Sequence, residues 1–239
     1  TLELGGTFTK SHITGIRIRA NGKQIWDVTG DHLDTMNKYD GLTADASYLT
    51  IHFAERGART ITGEKIGGID SSILNSFEIE VDIGGATSPT LVAVATMTAP
   101  KPASDPNKFM IRALLKATHA ISAAGTFSQP VPVGSIAGAL IKKVCLHSTI
   151  CTQYDVTKDG LWLQQYGAQA LLDFITDEKN TVSQSNLISW NPAFGGNQSE
   201  VVTTLRPDGS SAVFEHQMTA SGSGTITSYC DLYSTIERL

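Results

Sequence analysis

Along most of this chain, apolar and polar residues alternate with a period of two. In GIRIRANGKQIWDV, Ile16 and Ile18 fall on one side of an extended backbone and Arg17 and Arg19 on the other. Asn21-Gly22 then separates two such runs, and that dipeptide favours a two-residue hairpin turn. SYLTIHFAE (47–55) sets Leu49, Ile51 and Phe53 against Thr50 and His52. FEIEVDI (77–83) sets Phe77, Ile79, Val81 and Ile83 against Glu78, Glu80 and Asp82, and LVAVATMT (91–98) alternates more weakly. Each run predicts a half-buried antiparallel strand with its apolar side inward. Strand-like segments recur near 136–147, 149–156, 185–190, 199–206, 211–219 and 224–233, between Gly, Asn, Pro and Ser clusters. FMIRALLKATHAIS (109–122) has a spacing that suits either a strand or a short helix. PKPASDPN (100–107) cannot pair as a central strand and marks a linker, and SQPVPVG (128–134) reads as an extended connection.

Two segments predict helices, and they are copies of one motif. WDVTGDHLDTMNKY (26–39) and YDVTKDGLWLQQY (154–166) share an aromatic residue, then Asp-Val-Thr, a second Asp, a Leu and a closing Tyr. The matched residues are Trp26, Asp27, Val28, Thr29, Leu33 and Tyr39 in the first copy. In the second they are Tyr154, Asp155, Val156, Thr157, Leu161 and Tyr166. Thr29 and Thr157 are expected to cap the helices, and Asp27 and Asp155 to close the strand-to-helix turns. The second helix is expected to run to about residue 175, carrying Leu161, Leu163, Ala168, Leu171, Leu172 and Phe174. The two copies lie about half a chain apart, too far for a solenoid. They imply two tandem β-modules, sandwiches or barrels, each interrupted by a helix.

Composition narrows the function. The chain has 239 residues, 17% charged, with a formal charge of -5, which opposes nucleic-acid binding by the chain as a whole. No apolar run is long enough to span a membrane as a helix. No signal peptide is evident; the chain opens at Thr1, which is compatible with processing or with preceding residues. Cys145, Cys151 and Cys230 form no disulfide framework; a Cys145–Cys151 bridge requires the two to face each other across a hairpin. None of the six histidines has metal-site spacing, G-x-S-x-G is absent, and the Gly-rich pieces lack the Lys of a phosphate loop. The Glu78, Glu80 and Asp82 row reads as a solvated face, with a hard cation or a neighbouring subunit's basic face as the alternatives. Arg17, Arg19 and Lys23 form a small basic cluster, either solvated or turned to a neighbouring subunit or an anionic lipid surface.

Three stretches carry a resemblance to a family. They are IRIRANGKQIWDVTGDHLDTMNKY, FEIEVDIGGATSPTLVAVATMTAPKPASDP and YDVTKDGLWLQQYGAQALLDF. In order and spacing they resemble the double jelly-roll major capsid proteins of membrane-containing icosahedral phages, closest to corticovirus coat proteins. The resemblance implies an all-β fold with a few short helices, as two eight-stranded jelly-roll barrels. We place these at 1–104 and 105–239. It further implies a homotrimer of pseudo-hexagonal outline in an icosahedral shell around an internal lipid membrane. The partners would be neighbouring capsomers and vertex or spike proteins, in a virion assembled in the host cytoplasm. It implies no enzymatic activity and no direct nucleic-acid contact. Members of the family can bind calcium at subunit contacts, but no motif here matches a ligand set, so no metal or catalytic residue is assigned. The alternatives are a carbohydrate-binding or adhesin protein of two β-sandwiches, with Trp162 and Trp190 as candidate platforms, and a polysaccharide hydrolase with two facing carboxylates.

Overall fold

The computed structural model describes residues 1–43, 45–55, 63, 66–105, 107–133, 136–165, 167–178, 181–193 and 200–239. The first part of the chain forms β1 (Leu2–Gly5), β2 (Ile13–Ala20), β3 (Lys23–Val28), α1 (Gly30–Tyr39), β4 (Tyr48–Leu49), β5 (Phe77–Ile83) and β6 (Thr90–Ala93). The second forms β7 (Met110–Ile121), β8 (Gly125–Pro130), β9 (Leu140–His147), β10 (Cys151–Lys158), β11 (Leu161–Gln164), α2 (Gln169–Glu178), β12 (Leu187–Trp190), β13 (Val202–Thr203), β14 (Phe214–Ala220) and β15 (Gly224–Thr235). The 109–122 segment is thus a strand.

Strand pairing in the second part is nested. β7 pairs with β15, β8 with β14, β9 with β12 and β10 with β11. A long hairpin folded over on itself gives this pattern, and the result is two sheets, β12-β9-β15-β7 and β11-β10-β14-β8. These eight strands are a complete jelly roll, with the two-residue β13 added at β9. The first part repeats the later strands of this wrap: β1 pairs with β4 and β6 as β9 pairs with β12 and β15, and β2 pairs with β3 and β5 as β10 pairs with β11 and β14. Among the described residues it has six strands rather than the expected eight. The span between β3 and β5 holds α1 and the short β4, so SYLTIHFAE pairs only at Tyr48–Leu49. β3 runs parallel to β7 at Trp26 and Leu114, which joins the modules into one eight-stranded sheet.

Local chemistry explains the elements. Asn21 (φ 51°) and Gly22 (φ 77°) turn the β2–β3 hairpin, a left-handed pair that suits Asn-Gly. Thr29 caps α1, accepting a hydrogen bond from the His32 amide at 3.3 Å. Gly30 has no room for a Cβ, which would fall 2.3 Å from the Lys10 carbonyl oxygen. In the second module, Phe214, His216, Met218 and Ala220 are buried while Glu215 is exposed. That face of β14 and the fully buried Tyr154 and Val156 pack against Val144, Leu146, Cys230 and Leu232 of the other sheet.

The second copy of the motif does not repeat the first. Thr157 lies inside β10, and Asp159 (φ 50°) with Gly160 (φ 79°) forms a hairpin turn into β11. Leu161, Trp162 and Leu163 are therefore on a strand, Thr157 is not a helix cap, and α2 begins only at Gln169. An Asp-Gly turn competes with helix initiation and wins here because β10 pairs on both sides. The partner elements differ as well: β2 and β3 are a hairpin in one sheet, whereas β9 and β10 lie in different sheets. Tyr166 lies outside the described residues.

Candidate functional site at the seam between the modules

Alternation along the shared sheet decides what meets at the junction. On one face of β7, β15 and β9, the register aligns Arg112 with Tyr233, Asp231 with Lys143, and Tyr229 with Cys145. The opposite face carries the second module's core. Lys142 is the extra residue at a register shift between Asp231 and Leu232. The bulge turns two consecutive lysines toward carboxylates of the first module, as bulges do when they re-aim a side chain. α1 and segment 50–55 of the first module cover this face.

Three ion pairs form there. Arg112 grips Asp231 bidentately, Nε to Oδ1 at 2.8 Å and Nη2 to Oδ2 at 2.6 Å, while its Nη1 donates to the His52 carbonyl. Lys142 Nζ lies 2.7 Å from Glu55 Oε2, and the Tyr233 hydroxyl donates to the same carboxylate. Lys143 Nζ donates to both oxygens of Asp40 at 2.6 and 2.7 Å and sits over the Tyr39 ring. Three cations thus face three carboxylates, and Arg112, Asp231, Lys142, Lys143 and Glu55 are all buried. Burial alone would raise the Asp231 carboxyl, but Arg112 and Lys142 outweigh it and hold it down at about 2. Burial opposes the Lys143 ammonium, yet Asp40 keeps it above its ordinary range. Lys142 is shifted down by burial and by the neighbouring Arg112.

Aromatic groups extend the seam at both ends. Trp26 Nε1 donates to the Arg112 carbonyl at 3.0 Å, and the Arg112 guanidinium lies over its ring. Phe53 meets Trp26 edge-on, and Phe77 meets Phe53. At the other end, His32 of α1 stacks on His147 of β9 with centroids 4.1 Å apart, and its Nδ1 shares a 2.8 Å hydrogen bond with the Tyr229 hydroxyl. Burial first, then His32 and Lys143, depress His147 to about 2. A second histidine pair, His119 and His216, bridges the two sheets inside the second module, and burial lowers His216 to about 3.

The motif residues divide unequally over this geometry. Trp26, Leu33 and Tyr39 are buried, Val28 is fully enclosed, Thr29 caps α1 and Asp27 holds Lys116 at 3.3 Å. The first copy therefore builds the seam. In the second copy, Tyr154 and Val156 lie in the barrel interior, and Asp155 accepts from the Gly167 amide, while Leu161 is 73% exposed. The Arg17 and Arg19 cluster and the Glu80 and Asp82 row meet each other within the chain, from 2.7 to 3.1 Å, as a cross-strand ladder. Lys23 instead donates to carbonyls of Ile236, Glu237 and Leu239. β5 departs from a half-buried strand, because Phe77, Ile79 and Ile83 remain about two-fifths exposed at the sheet's edge. Trp190 is buried, so it offers no binding platform, and Trp162 is half-exposed on β11. Cys145, Cys151 and Cys230 are free thiols. Among the described residues, no three His, Cys, Asp or Glu side chains converge as a metal ion would need.

Residues 1–98 match the family model described as the viral coat protein P2 N-terminal domain. No curated protein matches the chain. Among solved structures, it is similar to the major capsid protein P2 from bacteriophage PM2, with a TM-score of 0.82 at 14% identity over 98% of this chain and 86% of that one. It is also similar to the STIV MCP, with a TM-score of 0.56 at 10% identity over 98% and 85% of the two chains. A chain from the atomic structure of Sulfolobus Turreted Icosahedral Virus gives 0.57 at 10% identity, over 98% and 81%. The chain carries the double jelly-roll fold of these capsid proteins, and its N-terminal stretch matches the coat-protein domain family.

Proposed function

We propose that this chain is the major capsid protein of an icosahedral virus, a structural component of the virion rather than an enzyme. The similarity to the PM2 capsid protein over nearly the whole chain, together with the coat-domain match of residues 1–98, carries the reading. The seam supports it. The Lys142–Glu55 and Lys143–Asp40 pairs, with the Arg112 hydrogen bond to the His52 carbonyl, fix one module against the other and leave the charged groups engaged with each other, which suits a rigid building block.

In this reading the modules divide at 104/105, between β6 and β7, and three chains form a capsomer of pseudo-hexagonal outline. Capsomers contact one another and vertex proteins in a shell over an internal lipid membrane, assembled in the host cytoplasm. The test is solution mass by light scattering, followed by negative-stain imaging. Particles of about three chain masses with a six-lobed outline are expected. A single-chain mass at every concentration, with saccharide-dependent changes in the Trp162 emission, would favour the carbohydrate-binding alternative.

A further inference from the structure

The seam is used once within a chain, and both of its halves have a second, uncovered counterpart. In the second module the pair β9 with β15 has its outer face, with Lys143, Cys145, His147, Tyr229 and Asp231, buried under α1 and segment 50–55. Its counterpart in the first module is β1 with β6, because β1 pairs with β4 and β6 as β9 pairs with β12 and β15. Its inward residues Leu2, Leu4 and Leu49 are buried. Its outward row is bare: Glu3 stands in register between Tyr48 and Val92, which are 46% and 53% exposed.

The helices show the same inequality. α1 follows the β2–β3 hairpin and buries Leu33, Met36 and Tyr39. α2 follows the β10–β11 hairpin and buries Leu172, but Phe174 is 63% exposed, and Leu171 and Trp162 are each 45% exposed. An apolar cluster of this kind marks a contact surface. α2 packs on β12, at one end of the shared sheet, and β3 lies four strands away, roughly 19 Å at ~4.8 Å per strand. Just beyond α2 the Val182 amide donates to the Tyr39 carbonyl of α1, yet Phe174, Leu171 and Trp162 stay exposed.

We propose that α2 and β11 of one chain cover the Tyr48–Glu3–Val92 face of a second copy of this chain, so that the contact between modules within a chain recurs between chains. The occupant follows from continuity with the seam: equivalent elements meet in both places, the helix after the hairpin (α1 or α2) and the outer face of the matching strand pair (β9–β15 or β1–β6). Phe174 and Trp162 would lie on Tyr48 and Val92. Because the two surfaces differ and sit on different modules, the contact is head-to-tail, which gives a ring where the rotation closes and a filament where it does not. Closure into a ring of three rests on the capsid reading above.

Two measurements test this, with Cys151→Ser as background because that thiol is part-exposed. Chains carrying Phe174→Cys are mixed with chains carrying Val92→Cys under mild oxidation, and a disulfide-linked dimer is expected in the mixture. The single charge substitutions Phe174→Asp and Val92→Asp, both at exposed positions, are each expected to lower the solution mass threefold without changing the circular dichroism. A three-chain wild type that gives no cross-link and keeps its mass in both variants would overturn this interface and leave the capsid reading standing. A wild type that stays a single chain at all concentrations would overturn both.

Discussion

Two sets of ion pairs lie on the same sheet, and they differ in what they can do. On β2 and β5, Arg17 and Arg19 meet Glu80 and Asp82 at the surface, where water screens them. On β7, β9 and β15, Arg112, Lys142 and Lys143 meet Asp231, Glu55 and Asp40 under the cover of the first module. The distances are similar, so geometry does not separate the sets; burial does. A surface pair can lose a partner to solvent at little cost, whereas a buried ion left alone has nowhere to turn. Charge at the seam therefore specifies how the modules fit, and charge on the ladder mainly keeps an edge soluble.

The sharpest way to break this contrast is to remove one buried partner. Asp231→Ala strands Arg112 and is expected to cost ~3–5 kcal/mol, read as a lower midpoint in urea unfolding; a loss below ~1 kcal/mol would mean the seam is wetter than its burial implies. Acid should act next, through the histidines. Below about pH 6.5 the unfolded chain takes up protons that buried His147 and His216 refuse until about 2 and 3. Stability should then fall by about 1.4 kcal/mol per pH unit for each ring. His147→Gln should flatten the acid limb of a plot of Tm against pH, and an unchanged limb would remove this ring from the account. The two motif copies offer a smaller test: Thr29→Ala should cost ~1 kcal/mol by uncapping α1. Thr157→Ala removes no cap, and equal losses at both positions would contradict the assignment. Least of all, Glu80→Gln on the exposed ladder should leave Tm within experimental scatter.

These differences also explain what could be read in advance. Hairpin β2–β3, the α1 cap and most of the long strands follow from alternation and from turn chemistry. β11 was hidden by its approach: Lys158-Asp159-Gly160 after a Thr looks like a helix start until Asp-Gly is weighed as a hairpin turn. β8 was masked by Pro130, which is tolerated because β8 is the edge strand of its sheet. The seam was not visible, since its partners come from positions as far apart as 55 and 233. One signal was present: LIKKVCLH and SYCDLYST set charges inside apolar runs, and such charges are buried only when paired. The ion pairs of β5 were misplaced for the opposite reason. A charged row on one strand looks the same in sequence whether it faces water, a cation or arginines on the strand beside it.

The parallel pairing of β3 with β7 has a mechanical consequence. A hinge needs a plane that few bonds cross, and here a shared sheet, two buried ion pairs and a stacked histidine pair all cross the one candidate plane. The two modules should tilt as a single plank. Any curvature in a larger assembly must then be taken up at the joints between chains, where angles can vary, and not by bending within a chain.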